Sequence, residues 1–188
     1  MKPQIATRLL AIALIAFAQS GLAALVGKDV RYSAGKTTMR GYLAYDDAIQ
    51  GKRPGVLVVP EWWGVNDYGR KRARMLAEQG YVALVVDMYG DGQTAADPKA
   101  AGALAGVVNK DAKLALERFQ AAERFLNRQT HVRKGELAAL GYCFGGGVVL
   151  NMARLGEPLK AVVSYHGVLA SDIAVKPGDI QARLRVFN

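Results

Sequence analysis

Cysteine is almost missing from this chain. The single residue, Cys143, excludes an internal disulfide. Only two histidines occur, His131 and His166, and no Cys/His set has zinc spacing. No glycine-rich stretch runs into Lys-Ser/Thr: Gly147 and Val148 follow Gly146, which excludes a phosphate loop. No basic run is interleaved with aromatics, so the formal charge of +9 describes a solvated basic surface and no nucleic-acid partner is expected. Cys-x-x-Cys is absent, which argues against a thiol–disulfide oxidoreductase. There are no internal repeats and no low-complexity segments, and no motif implies a metal or an organic cofactor.

What is present is one domain's worth of chain, 188 residues, with enough apolar content for a core. Lys2 and Arg8 precede an apolar run over residues 9–18, and Gln19-Ser20-Gly21-Leu22-Ala23 offers small residues for cleavage. Residues 1–23 therefore read as a secretory signal peptide, cleaved after Ala23 or Ala24. The run is shorter than the roughly 20 residues of a membrane span, so no membrane partner is expected after cleavage. The expected location is a bacterial periplasm, with residues 24–188 as the folded domain. A lone thiol in that oxidising setting argues mildly for a task.

Residues 30–32 and 39–45 read as strands around the turn Ser33-Ala34-Gly35-Lys36, an antiparallel edge hairpin. Residues 46–54 read as a polar loop. Val56-Leu57-Val58-Val59 has the continuous apolar character of a strand buried on both faces. Asn66 or Asp67 caps a helix running to about Gln79, with Tyr68, Met75 and Leu76 in its apolar stripe and Arg70, Lys71, Arg72 and Arg74 on a solvated face. Residues 82–86 form another buried strand. Asp97-Pro98 opens a helix to about Val108. Residues 110–128 form a longer helix, with Ala112, Ala115, Phe119, Ala122 and Leu126 at helical spacing. Residues 137–140, 161–165 and 184–187 read as further strands. This alternation predicts an α/β fold with a doubly wound, mostly parallel sheet. Chemistry in such sheets gathers at the strands' C-terminal ends, where Glu61, Asp87 and Cys143 stand.

Gly141-Tyr142-Cys143-Phe144-Gly145 lies between a strand and a helix start, the pattern of a nucleophile elbow. The helix dipole aimed at Cys143 favours thiolate over thiol, and the Phe144 N–H points at a developing oxyanion. The plainer reading makes Cys143 a small buried hydrophobe, with glycines that merely allow close packing.

Together with Pro60-Glu61-Trp62-Trp63-Gly64-Val65-Asn66, Ala77-Glu78-Gln79-Gly80-Tyr81-Val82-Ala83 and Asp87-Met88-Tyr89, the elbow resembles the dienelactone hydrolase family of α/β-hydrolases, from about Thr37 onward. The resemblance implies a cysteine hydrolase opening lactones or cleaving esters, with a small ester or lactone as its partner. It implies Cys143 as nucleophile, the Phe144 and Trp62 backbone N–H groups as oxyanion hole, and Glu61 as the thiol's proton partner. Trp63, Tyr89 and His166 are candidate pocket residues. The family also implies an acid and a histidine after the strand at 184–187, and neither occurs before Asn188. The expectation is an α/β-hydrolase fold lacking its last strand and helix, C-terminally truncated and inactive as it stands. The alternative is a non-catalytic α/β protein that binds a small molecule. Asp91 stands where family members that open dienelactone carry an arginine for its carboxylate, which argues against that substrate.

Overall fold

The computed structural model describes residues 25–188; the signal-peptide expectation for residues 1–23 lies outside the described residues. Seven strands form one sheet in the order β1-β2-β4-β3-β5-β6-β7. β1 (Leu25–Ala34) and β2 (Thr37–Asp46) pair antiparallel at one edge. Gly35, at φ 54, supplies the positive angle that a two-residue hairpin loop requires. Both strands run further than residue preference indicates. Gly27, Lys28 and Asp29 are weak strand formers, held here by register partners Ala44, Leu43 and Tyr42.

β3 (Arg53–Val59), β4 (Val82–Val85), β5 (Val132–Tyr142), β6 (Ala161–Tyr165) and β7 (Arg183–Phe187) are parallel to one another. The 46–54 loop is shorter than expected because β3 begins at Arg53. Alternation along β3 sends Val56 and Val58 to one face and Leu57 and Val59 to the other. Both sets are buried because helices cover both faces. α1 (Asp67–Glu78) packs on the Val56/Val58 face, and α3 (Ala112–Asn127) and α4 (Phe144–Arg154) on the Leu57/Val59 face. The doubly wound, mostly parallel sheet is therefore present.

Three helix expectations need correction. α1 is capped by Asn66, whose Oδ1 accepts from the Gly69 N–H at 3.0 Å, but its buried stripe is Gly69, Ala73 and Ala77. Tyr68 and Met75 are exposed. The helix lies so close to the sheet that a Cβ on Gly69 would stand 3.2 Å from Val85, leaving room only for small residues. The arginines of α1 are also engaged rather than merely solvated. Arg70 stacks over the Tyr42 ring and pairs with Asp29, Arg74 donates to the Tyr42 hydroxyl at 3.0 Å, and Arg72 donates to the Tyr142 hydroxyl at 2.6 Å. Their stems cover the rings that the small stripe leaves open. Finally, the 110–128 helix starts later. α2 (Pro98–Lys110) ends at Asp111, whose carboxylate caps α3 by accepting from Leu114 N–H. Ala112 is consequently exposed, and Ala121 joins Ala115, Phe119, Ala122 and Leu126 in the core.

The expected strand at 184–187 is present as β7, which among the described residues is the edge of the sheet, paired only with β6, with all five of its residues exposed. A cross-strand stack of Tyr142, Tyr165 and Phe187 ties it on, with ring centroids 5.2 and 5.0 Å apart.

One buried carboxyl pair gives the fold a pH signature. Glu157, after α4, is 6% exposed and accepts from Gln120 Nε2 at 2.8 Å. Its neighbour Glu123 on α3 is pushed from 4.5 to about 7, first by burial and then by its hydrogen bond to Glu157 and that group's charge, against a smaller opposing effect of Arg124. A raised folded-state value means the stabilisation is full below pH 4.5 and is lost as pH climbs through 7. Glu123→Gln keeps the hydrogen bond without the charge. It is expected to gain about 1 kcal/mol over the parent at pH 8, and little at pH 4, in urea denaturation; half-burial limits the effect.

Candidate active site

The site is built where β5 passes into α4. Cys143 sits at φ 52 and ψ −117, a conformation that L-residues rarely adopt. Its N–H donates to the Tyr165 carbonyl at 2.9 Å, fastening the turn to β6, and its own carbonyl accepts from Gly147 as α4 begins. The flanking glycines are demanded by backbone on every side. A Cβ on Gly141 would overlap the Gly145 carbonyl, and one on Gly145 would overlap the Val59 carbonyl. One on Gly146 would come within 2.8 Å of Gly167 Cα. The elbow is thus wedged between the end of β3 and the turn after β6.

Phe144 is the first residue of α4, so its N–H has no acceptor within the helix. Trp62 lies in the turn after β3. Neither N–H is taken by another group among the described residues. The Trp62 carbonyl accepts from the Tyr89 hydroxyl at 2.8 Å, and the Tyr89 ring lies 5.6 Å from that of Phe144. Tyr89 is only 4% exposed. Burial above all, then the proximity of Cys143 and Asp87, pushes its phenol well above its ordinary range, so it keeps its proton and donates. Tyr89 therefore braces the Trp62 turn from beneath and does not form an open pocket wall.

Asp87, at the end of β4, holds that brace. It is 2% exposed, and its carboxylate accepts the backbone N–H groups of Arg40, Tyr89, Gly90 and Gly92 at 2.8–3.0 Å. Four donors offset the cost of burying the charge. Sequence reasoning placed Asp87 at the right strand end without finding this task; glycines at positions 90 and 92, each at positive φ, were the available signal.

Glu61 is half-buried, with Oε1 3.7 Å from His166 Nε2. His166 ends β6 at φ 40, donates its N–H to the Phe187 carbonyl and leaves its imidazole largely exposed. Cys143, His166 and Asp91 are the non-glycine residues at positive φ among the described residues. Trp63 meets Trp62 edge-on at 5.4 Å; Trp62 packs on the core and Trp63 does not. His131 stacks on Tyr45 at the opposite end of β5, remote from Cys143.

A cavity of about 380 Å³ adjoins the elbow along α4. Phe144, Val148 and Met152 line it with Val108, Ala115 and Ile173. Trp63, Tyr89 and His166 do not line this cavity. The cavity lies between α4, the α2–α3 junction and the segment after β6 that includes Val168 and Ile173. No group of three or more His, Cys, Asp or Glu side chains that would hold a metal occurs among the described residues.

The model of the dienelactone hydrolase family matches residues 39–185. A Bradyrhizobium protein named "Probable 2-oxo-3-(5-oxofuran-2-ylidene)propanoate lactonase" is 32% identical over 121 residues, 64% of this chain and 48% of that protein. The chain spans about half the length of most of the curated relatives it matches. Among solved structures, m3DLH superposes with a TM-score of 0.80 at 37% identity, covering 87% of this chain and 68% of the other. A dienelactone hydrolase-like promiscuous phosphotriesterase from metagenomic libraries gives 0.79 at 38%, covering 86% and 67%. With a family match across most of the described residues and the same fold in both structures, this chain belongs to the dienelactone hydrolase family.

Proposed function

We propose that this chain attacks ester or lactone carbonyls with the Cys143 thiolate. The observation that carries the reading is the backbone of Cys143, held at φ 52 between β5 and α4, where a glycine would sit without strain. Retaining a side chain there costs stability, and a reacting thiol at the head of a helix is a reason to bear that cost.

In this reading Sγ adds to the carbonyl carbon, and the electron pair moves to the carbonyl oxygen. The Phe144 and Trp62 N–H groups stabilise that oxyanion. The bond from carbon to the ester oxygen breaks, the alkoxide takes back the proton that Glu61 drew from the thiol, and a thioester remains on Cys143. Glu61 takes the thiol proton, since a bare carboxylate that did not accept it would hold the thiol protonated. After Cys143 the sequence contains one histidine, His166, and its Nε2 lies 3.7 Å from the carboxylate of Glu61, the group assigned here to the thiol proton, so it is not assigned to activating water. We therefore expect this 188-residue chain to acylate and then to release the acyl group slowly.

Incubation with p-nitrophenyl acetate tests this. Intact-mass analysis should show one acetyl per chain, mapped to the peptide containing Cys143, with a nitrophenolate burst near one equivalent and little turnover. No acetylation of Cys143 would overturn the reading and leave ligand binding as the alternative. Export to a periplasm is a separate proposal, checked by the N-terminal residue of protein recovered from that compartment.

A further inference from the structure

A second cleft lies away from the elbow, and its charge is unbalanced. It has a volume of about 530 Å³ and is lined by Asp29, Val30 and Arg31 of β1, Arg40 of β2, Val65 and Arg70 at the start of α1, and Gly92. Arg31 and Arg40 are direct register partners in the antiparallel pair. Tyr32 and Met39, the next pair along, are buried in the core, so alternation puts both arginines on the opposite face, beside α1. Like charges placed directly opposite on adjacent strands cost stability. Nothing among the described residues offsets it: Asp29, the cleft's one carboxylate, is paired with Arg70. Arg40 is also fixed in place, its N–H bonded to Asp87 and its stem packed where a Cβ on Gly92 would fall.

We infer that this cleft binds a multivalent oxyanion of the phosphate class, which would bridge the facing guanidiniums of Arg31 and Arg40 with Arg70 at its side. Guanidinium forks match phosphate oxygens in geometry and charge. The cleft is a site of its own. β2 stands three strand spacings, about 14 Å, from β5 and its nucleophile, too far for one small lactone to span with its reacting carbonyl.

The test is thermal unfolding and calorimetric titration of the full chain with sodium pyrophosphate in low-salt buffer, beside sodium chloride at matched ionic strength. Pyrophosphate is expected to raise Tm by about 5 °C where chloride does not. Arg31→Gln and Arg40→Gln should each weaken binding at least tenfold. Without ligand, neither should unfold below the parent, because each removes a like-charge contact. Lys134→Gln, an exposed charge elsewhere, should bind as the parent does. Equal shifts with chloride, or parent-like affinity in both arginine variants, would overturn the inference. Phosphatidylglycerol vesicles separate two sources of the same chemistry. Sedimentation with vesicles that pyrophosphate competes away assigns the cleft to a lipid headgroup, and pyrophosphate binding without sedimentation assigns it to a soluble phosphate. Sedimentation that neither pyrophosphate nor Arg40→Gln alters would count against the cleft.

Discussion

Cys143→Ser is expected to lower the acylation rate by p-nitrophenyl acetate by at least about 10³-fold, with secondary structure unchanged. The two side chains differ by one atom, so packing around the elbow stays the same. The difference is chemical. A thiol is partly ionised near neutral pH and is a strong nucleophile, whereas a hydroxyl needs a general base aligned to take its proton. Neither histidine is assigned that task here: His131 lies at the far end of β5, and His166 is paired with Glu61 at 3.7 Å. Cys143→Gly separates reactivity from strain. It removes the thiol and also the Cβ that makes φ 52 costly, so it should abolish acylation while stabilising the fold by about 1 kcal/mol. Urea denaturation and intact-mass kinetics on the same two variants provide the check. A glycine variant less stable than the parent would mean that Cys143 contributes more by packing than its backbone costs, and the buried-hydrophobe reading would regain the ground.

The second large effect is expected at Gly145. Gly145→Ala should destabilise the domain by about 3 kcal/mol and slow acylation sharply, whereas Gly147→Ala should be neutral or stabilising by about 0.5 kcal/mol. Both residues lie in the first turn of α4, and helix preference alone would make alanine welcome at either. Their surroundings differ. A Cβ on Gly145 would collide with the carbonyls of Val59 and Pro60, main-chain atoms at the end of β3, the first of them in the ladder with β5. At Gly147 the nearest atom is the Val168 carbonyl at 3.5 Å, an ordinary contact. Relief at Gly145 would require α4 to lift off β3, carrying the Phe144 N–H away from the Trp62 turn. Circular dichroism melts with the acylation assay distinguish this from a general loss of folding: the residual folded fraction of Gly145→Ala should still acylate more slowly than the parent.

The elements that were legible share one physical property: their signals are local. Val56–Val59 and Val82–Val85 are apolar without alternation because helices cover both faces of the sheet, and that shows in the run itself. Asn66 and Asp97 cap helices within three residues of themselves. The elbow's glycines are needed within four residues of Cys143. The misread features depend on distance. Which side of α1 is buried follows from how closely that helix approaches β2 and β4, so small residues won over Tyr68 and Met75. Asp87 was visible as a carboxylate at a strand end, but its donor Arg40 lies 47 positions away.

By itself, then, the amino-acid sequence determined the α/β alternation, the strand–Cys143–helix turn and the family, because each rests on patterns shorter than a supersecondary unit. Only the tertiary structure decided that Tyr89 braces Trp62, that His166 meets Glu61 and that Arg31 and Arg40 stand side by side in one cleft. These are relations between segments brought together by strand order and register. Such pairings are set by the summed packing of the sheet and its helices, and no single stretch of the chain encodes them.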